Sequence, residues 1–233
     1  MLDKSAYPLQ AWGNGHEPLP KRFYLPAKPD HIDSRWCCWV NLEEVLPLHL
    51  AAEAHWQGMD ESRACTSDYL ERASEEIGGL CGGWLDHEES HLLRQYLGEP
   101  PLPCLPIYFI ALERDGTYSE PLYIGITSSS CRFANGHKAA LWLHDDKYAG
   151  YRKVLFRAAV WFHDGTQYLP LEWMLPHALA AEMLESIESQ LIYDYQPVMN
   201  ERKRANDCAT KPIDIHLQSY AGSDFIATRF LVP

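Results

Sequence analysis

The chain has 233 residues, 46% of them hydrophobic, and a formal net charge of −12. That is enough apolar material for one large domain, or for a compact domain with an extension, and too much for a chain disordered throughout. Seven cysteines without a C-x-x-C pair or a disulfide-scaffold rhythm point to a reducing, cytoplasmic setting. No basic start leads into an apolar run, and no uncharged apolar stretch nears the roughly 18 residues of a membrane span, so neither export by a recognisable signal nor membrane insertion is expected.

Residues 1–35 read as a Pro/Gly-rich arm. Helices are predicted over 41–57, bent near Pro47, and over 66–77. Gly78-Gly79 and Gly82-Gly83 then break the chain; with no Lys-Ser/Thr following, they read as turns and not as a phosphate cradle. The next segment, DHEESHLL from Asp86 to Leu93, contains H-E-x-x-H, the pattern by which a helix offers two histidines to zinc. With this chain's own His and Glu frequencies such a match arises about 0.04 times by chance. Asp86 and Glu89 form a capping box that opens a helix. Stepping at about 100° per residue, Leu85, Leu92, Leu93 and Tyr96 gather on one side, and His87 and His91 fall on the solvent side. The histidines therefore read as surface residues, unless a further ligand joins them; a structural zinc site would recruit Cys81 and another cysteine.

GEPPLPCLP (98–106) carries prolines at 100, 101, 103 and 106, which forbid a helix and favour an extended connector. Beyond it the pattern changes. Residues 106–112 form a β-rich apolar run, Asp115-Gly116 supplies a turn, and 121–127 form a second run, together a hairpin. A helix over 131–143, a strand over 155–162 and a long helix over 177–195, stopped by Pro197, complete a ββαβα order. The expected organisation is an acidic, mostly helical extension over 1–103, an α+β domain over 104–205 and a tail with short strands over 206–233.

The charge is unevenly spread. Residues 1–103 hold 8 Lys+Arg against 17 Asp+Glu, a net of −9, whereas 104–205 hold 10 against 12. Within 132–157, Arg132, Lys138, Lys147, Arg152, Lys153 and Arg157 face only Asp145 and Asp146, so a phosphate-binding surface is to be sought there. In the long helix Leu184, Ile187, Leu191, Ile192 and Tyr195 form an apolar stripe with Glu188 in its middle. An unpaired carboxylate there would cost several kcal/mol or take up a proton, so Glu188 either has a cation or is exposed by a cleft: an ion pair with a nearby arginine, or a divalent metal at the edge of a sheet.

The segment from Tyr108 to Asn200 resembles the GIY-YIG nuclease family: a tyrosine in the first strand (PIYFI, with Pro106 where the family has glycine), an intact Tyr123-Ile124-Gly125, then Arg132, His137, Glu188 and Asn200 in the family's order. RFANGHKA and LESIESQLIYDYQPVMN are also like family segments. The resemblance covers about 93 residues and implies a small core of a three-stranded antiparallel sheet flanked by helices. It also implies a divalent-metal-dependent endonuclease of the restriction, defence or repair kind, acting on DNA with one Mg²⁺ or Mn²⁺ per site. Glu188 would hold the metal and Arg132 the phosphate's charge. Tyr108 would serve as general base, with Tyr123 and His137 orienting the water or sharing its proton, and Asn200 would fix the cleft wall. Gly125 would leave room for a phosphate, and Lys138, Lys153, Arg157, Arg202, Lys203 and Arg204 would line the approach of double-stranded DNA. The acidic extension is expected to serve target recognition or dimerisation, the homodimer being favoured because its charge repels a phosphate backbone. The alternative is a nuclease-like module without turnover that holds a protein partner.

Overall fold

The computed structural model describes residues 7–25, 36–80, 83–127, 133 and 136–219, and the backbone of 229–231. A short helix α1 (Pro8–Gly13) and strand β1 (Phe23–Tyr24) open the described chain, followed by the long strand β2 (Trp36–Pro47) and helices α2 (Met59–Glu76) and α3 (His87–Leu97). Next come β3 (Ile107–Arg114), β4 (Thr117–Tyr118), β5 (Tyr123–Ile126), the five-residue helix α4 (Lys138–Trp142) and the long strand β6 (Arg152–His163). Short strands β7 (Tyr168–Pro170) and β8 (Met174–Leu175) lead into helix α5 (His177–Tyr195), and β9 (Ile213–Ser219) and β10 (Arg229–Leu231) follow. The protein is thus an α+β structure. Among the described residues no helix is long and apolar enough to cross a membrane.

Eight strands form one mixed sheet in the order β10-β9-β2-β6-β3-β4, with β5 also on β3 and β7 also on β6. Three of its neighbours are the strands predicted after the proline-rich connector: β3 is antiparallel to both β5 and β6. On its other side β6 runs antiparallel to β2, and β2 runs parallel to β9.

Strand β2 corrects the helix expected over 41–57. Cys38, Val40 and Leu42 are fully buried at every second position, the period of a half-covered strand. Pro47, which cannot donate to a ladder or sit inside a helix, closes the strand and passes the chain to a short 3₁₀ turn at Leu48–Leu50. The N-terminal part is therefore helical in α1, α2 and α3 but also supplies a strand inside the sheet, so the hydrogen-bonded core crosses the proline-rich connector. The helix expected over 131–143 is described only as Lys138–Trp142; residues 131, 132, 134 and 135 lie outside the described residues.

Alternation along β3 assigns the two faces of the sheet. Ile107, Phe109 and Ala111 join the larger core, with α5 residues such as Leu184, Ile187 and Leu191. Tyr108, Ile110 and Leu112 face the other way, into a smaller cluster with Trp56, Phe133, Ala139, Leu143 and Met199. Glu188 on α5 thus belongs to the helix packed under the first face, whereas Tyr108 belongs to the second.

Candidate active site

The second face gathers most of the residues singled out by the resemblance. Tyr108, fully buried, places its hydroxyl 2.9 Å from His137 Nε2. The ring of Tyr123 lies over Tyr108 at 5.9 Å between centroids and meets the imidazole edge-on at 5.0 Å. Register explains the juxtaposition: Tyr108 pairs with Gly125 and Ile110 with Tyr123 across the β3–β5 ladder, so Tyr108 and Tyr123 project from the same face on diagonal positions. His137 arrives at the start of α4 with its backbone extended (φ −126°, ψ 129°).

Gly125 has a role different from the one expected. A methyl at that position would stand 2.7 Å from Tyr108 Oη, 2.8 Å from Tyr108 Cζ and 2.9 Å from Tyr123 Cε1. The missing side chain makes room for the Tyr108 phenol, and Gly125 is itself buried. Its vacancy is filled by protein and is not a berth for phosphate.

Asn200 clamps the neighbouring residue of the same strand. Its Nδ2 donates to Ile124 O at 2.8 Å and its Oδ1 accepts from Ile124 N at 2.9 Å, so one amide satisfies both backbone groups of Ile124 as a paired strand would. Met199 N adds a bond to Leu122 O at 2.9 Å. This clamp fixes the backbone of β5 at Ile124.

Glu188 is not alone in its apolar stripe. Lys203 Nζ donates to its Oε2 at 2.6 Å, and the two side chains are 28% and 14% exposed respectively. The cation required by the sequence pattern is a lysine on the segment after Asn200. Among the described residues no group of three His, Cys, Asp or Glu side chains is placed to hold a metal ion. Magnesium, however, needs only one or two carboxylates, completing its shell with waters and substrate phosphate. A single partly exposed carboxylate such as Glu188 fits that manner of binding, provided Lys203 yields its place. Arg132 and Cys81 lie outside the described residues.

The expected phosphate-binding cations prove to be variously engaged. Arg157 is buried: its guanidinium donates to Glu44 Oε2 at 2.8 Å and to His55 O at 2.8 Å, and lies 4.7 Å over the Trp56 ring. Burial holds its pKa below the ordinary arginine value, with Glu44 offsetting only part of the fall. A side chain so placed is not a free backbone contact, which corrects its expected role. Lys153 donates to Tyr148 O at 2.7 Å. Lys138 is exposed, bonded to Glu201 and 4.8 Å over the Trp142 ring. Arg202 is exposed, and Arg204 is half-buried.

Helix α3 carries the capping box expected of it: Glu89 N donates to Asp86 Oδ1 at 2.8 Å and Asp86 N to Glu89 Oε2 at 2.9 Å. His87 and His91 are exposed as expected, but Tyr96, placed with the buried side by the helical pattern, is 58% exposed. His16 lines the same cavity of about 360 Å³ as both histidines, together with Arg94.

Two residues of this face went unnoticed in the sequence. Trp56 packs edge-on against Tyr108 at 5.6 Å and stacks on Phe133 at 4.7 Å, roofing the tyrosine. Its only signal was a large aromatic in a segment read as helix. Glu44, in the same segment read as helix, lies beside a bulge between Leu42 and Glu44 and pairs with Arg157.

No family model, curated protein or solved structure matches the chain.

Proposed function

We propose that the protein is a divalent-metal-dependent endonuclease with a GIY-YIG-like core, hydrolysing phosphodiester bonds of DNA in a restriction, defence or repair setting. The observation that carries this reading is the Tyr108 hydroxyl at 2.9 Å from His137 Nε2, with Tyr123 packed on both. Three residues with those assigned roles come from two strands and the start of a helix, and they meet at one strand whose outer backbone Asn200 holds.

With Nε2 unprotonated, His137 accepts the Tyr108 proton. Proton transfer to the imidazole leaves a phenolate able to take the proton of an attacking water, and the Tyr123 ring fixes the orientation of both partners. Glu188 would hold Mg²⁺ or Mn²⁺, and Arg132 would meet the phosphate charge. Bound there, the metal would neutralise charge on the scissile phosphate and at its leaving oxygen. Lys203 would release Glu188 as the metal arrives, its charge remaining available to the phosphate. Arg202 and Lys138, both exposed although Lys138 has Glu201 as its partner, are the cations that would meet a DNA backbone.

A second reading, a nuclease-like module without turnover that engages a protein partner, is favoured by two specific observations: Tyr108 has no exposed surface, and Glu188 is already neutralised by Lys203. Supercoiled plasmid incubated with the protein in Mg²⁺, with and without chelator, separates the two. The nuclease reading expects nicked or linear product that chelation abolishes, and a loss of roughly 10²–10⁴-fold in rate for Tyr108→Phe and at least as much for Glu188→Ala. Intact plasmid, or cleavage that survives Glu188→Ala, overturns it.

A further inference from the structure

A cavity of about 550 Å³ lies on the same sheet face as Tyr108, with Tyr7, Glu43, Leu102, Leu105, Arg157 and Ala159 among the residues that line it. Its size falls within the range of small-molecule sites. The β-bulge between Leu42 and Glu44 interrupts the alternation of β2, so that Glu43 and Glu44 both face this cavity. Glu44 is occupied by Arg157. Glu43, only 8% exposed, accepts the Tyr7 hydroxyl on Oε2 at 3.0 Å. Its Oε1 is buried without a hydrogen-bond partner among the described residues, and so is Arg157 Nε. Buried polar atoms that lack partners are costly to keep. A carboxylate oxygen calls for a donor and a guanidinium N–H for an acceptor, and both atoms belong to side chains that line one cavity with apolar walls.

We propose that this cavity binds a nucleobase, a planar heterocycle whose edge donates N–H to Glu43 Oε1 and offers an acceptor to Arg157 Nε, while Leu102, Leu105 and Ala159 cover its faces. The placement supplies the reason for a base over other planar ligands, and in this the inference rests on the nuclease reading. Arg157 is the cross-strand partner of Tyr108, and its guanidinium stacks on Trp56, which packs against the Tyr108 ring. A contact path of two side chains therefore joins the cavity to the candidate catalytic tyrosine. A strand with a phosphate near Tyr108 would run over this same face of the sheet, and a base entering the cavity would have to leave the stack. Burial holds the Glu43 carboxyl above its ordinary value, the Tyr7 hydrogen bond offsetting part of the rise, so a further donor from a ligand would favour the ionised carboxylate.

The test uses the whole chain and four free nucleosides, adenosine, guanosine, cytidine and thymidine, titrated by calorimetry, with methylguanidinium as a control cation. At least one nucleoside is expected to bind saturably, and its Kd to rise at least tenfold in Glu43→Leu. Because a change at a buried carboxylate alters folding, Leu102→Trp serves as the second variant. Leu102 is 42% exposed, and an indole there fills the cavity from its rim; it is expected to weaken the same nucleoside at least tenfold with an unchanged melting temperature. No nucleoside binding, equal binding in Leu102→Trp, or binding of methylguanidinium alone overturns the proposal. Plasmid cleavage in Mg²⁺ is scored separately. Cleavage without nucleoside binding removes the cavity proposal and leaves the nuclease reading, and nucleoside binding without cleavage does the reverse.

Discussion

A methyl group at position 125 would press within 2.7 Å of the Tyr108 hydroxyl and 2.8 Å of its ring, both held in place by His137 and by the roof of Trp56. Overpacking of this kind costs about 1–3 kcal/mol. Gly125→Ala is therefore expected to lower stability by that amount and, by moving the phenol, to lengthen its bond to His137. A melt with urea and the plasmid assay read the two effects. A stable variant with unchanged cleavage would show that the close fit has no bearing on either. Asn200→Asp isolates a second residue. Aspartate can still accept from Ile124 N but cannot donate to Ile124 O, so it is expected to destabilise by about 1–3 kcal/mol, whereas Asn200→Gln can donate only if its longer side chain rebuilds the clamp. The two tyrosines, His137 and Asn200 were singled out by the resemblance; the local pattern put the tyrosines on strands and Asn200 just after the long helix, but it put His137 inside a helix that begins only after it. Trp56 was not, since what makes it matter is its contact with Tyr108, more than fifty positions away in sequence.

At the scale of elements, the hairpin of β3 to β5, strand β6 and helix α5 follow from period and punctuation: α5 spans His177–Tyr195, the range predicted from its stripe and from Pro197. Strand β2 defeated the same reasoning. Its bulge at Glu43 breaks the alternation that marks a strand, and its partners, β6 and β9, lie more than a hundred residues away, so nothing local announces its pairing. Helix α3 was legible in its cap but less so in its faces, because Tyr96 is exposed where the wheel buried it. Its H-E-x-x-H pattern has gained a neighbour in His16, yet both helix histidines point to solvent. His87→Ala combined with His91→Ala is accordingly expected to change stability by no more than about 0.5 kcal/mol, the usual range of surface substitutions, and to leave plasmid cleavage unchanged. One zinc per chain in elemental analysis, lost in the double variant, would reverse this and make the three histidines a metal site.

For the molecule as a whole, in addition to the pairing of β2 with β6 and β9, the N-terminal part is tied to the rest by a buried polar cluster around Glu172. Its Oε1 accepts from Cys104 N at 2.9 Å, in the proline-rich connector, and from Ser62 Oγ at 3.3 Å, on α2. Arg63, next along α2, donates to Glu172 O at 2.6 Å and to Met174 O at 2.9 Å. Three separate stretches of chain thus meet at one carboxylate, which the sequence could not announce because none of them is near another in order. Burial pushes the Glu172 carboxyl above its ordinary value of 4.5, although its hydrogen bonds with Cys104 and Ser62 pull the other way. In the unfolded chain the carboxyl titrates at its ordinary value, so between the two pKa values the folded state holds more protons than the unfolded one. Stability then falls as pH rises through that window, and stays at its lower level once the folded-state carboxyl has also ionised. Glu172→Gln keeps an oxygen to accept from Cys104 N and Ser62 Oγ while removing the ionisation. Its melting temperature is expected to exceed the wild type's at about pH 8, with the gap closing as pH falls toward about 4. A gap that is constant with pH would mean that Glu172 does not titrate across the transition. A variant less stable than wild type at about pH 8 would mean that Arg63 and the ionised carboxylate form a pair worth more than the desolvation they suffer.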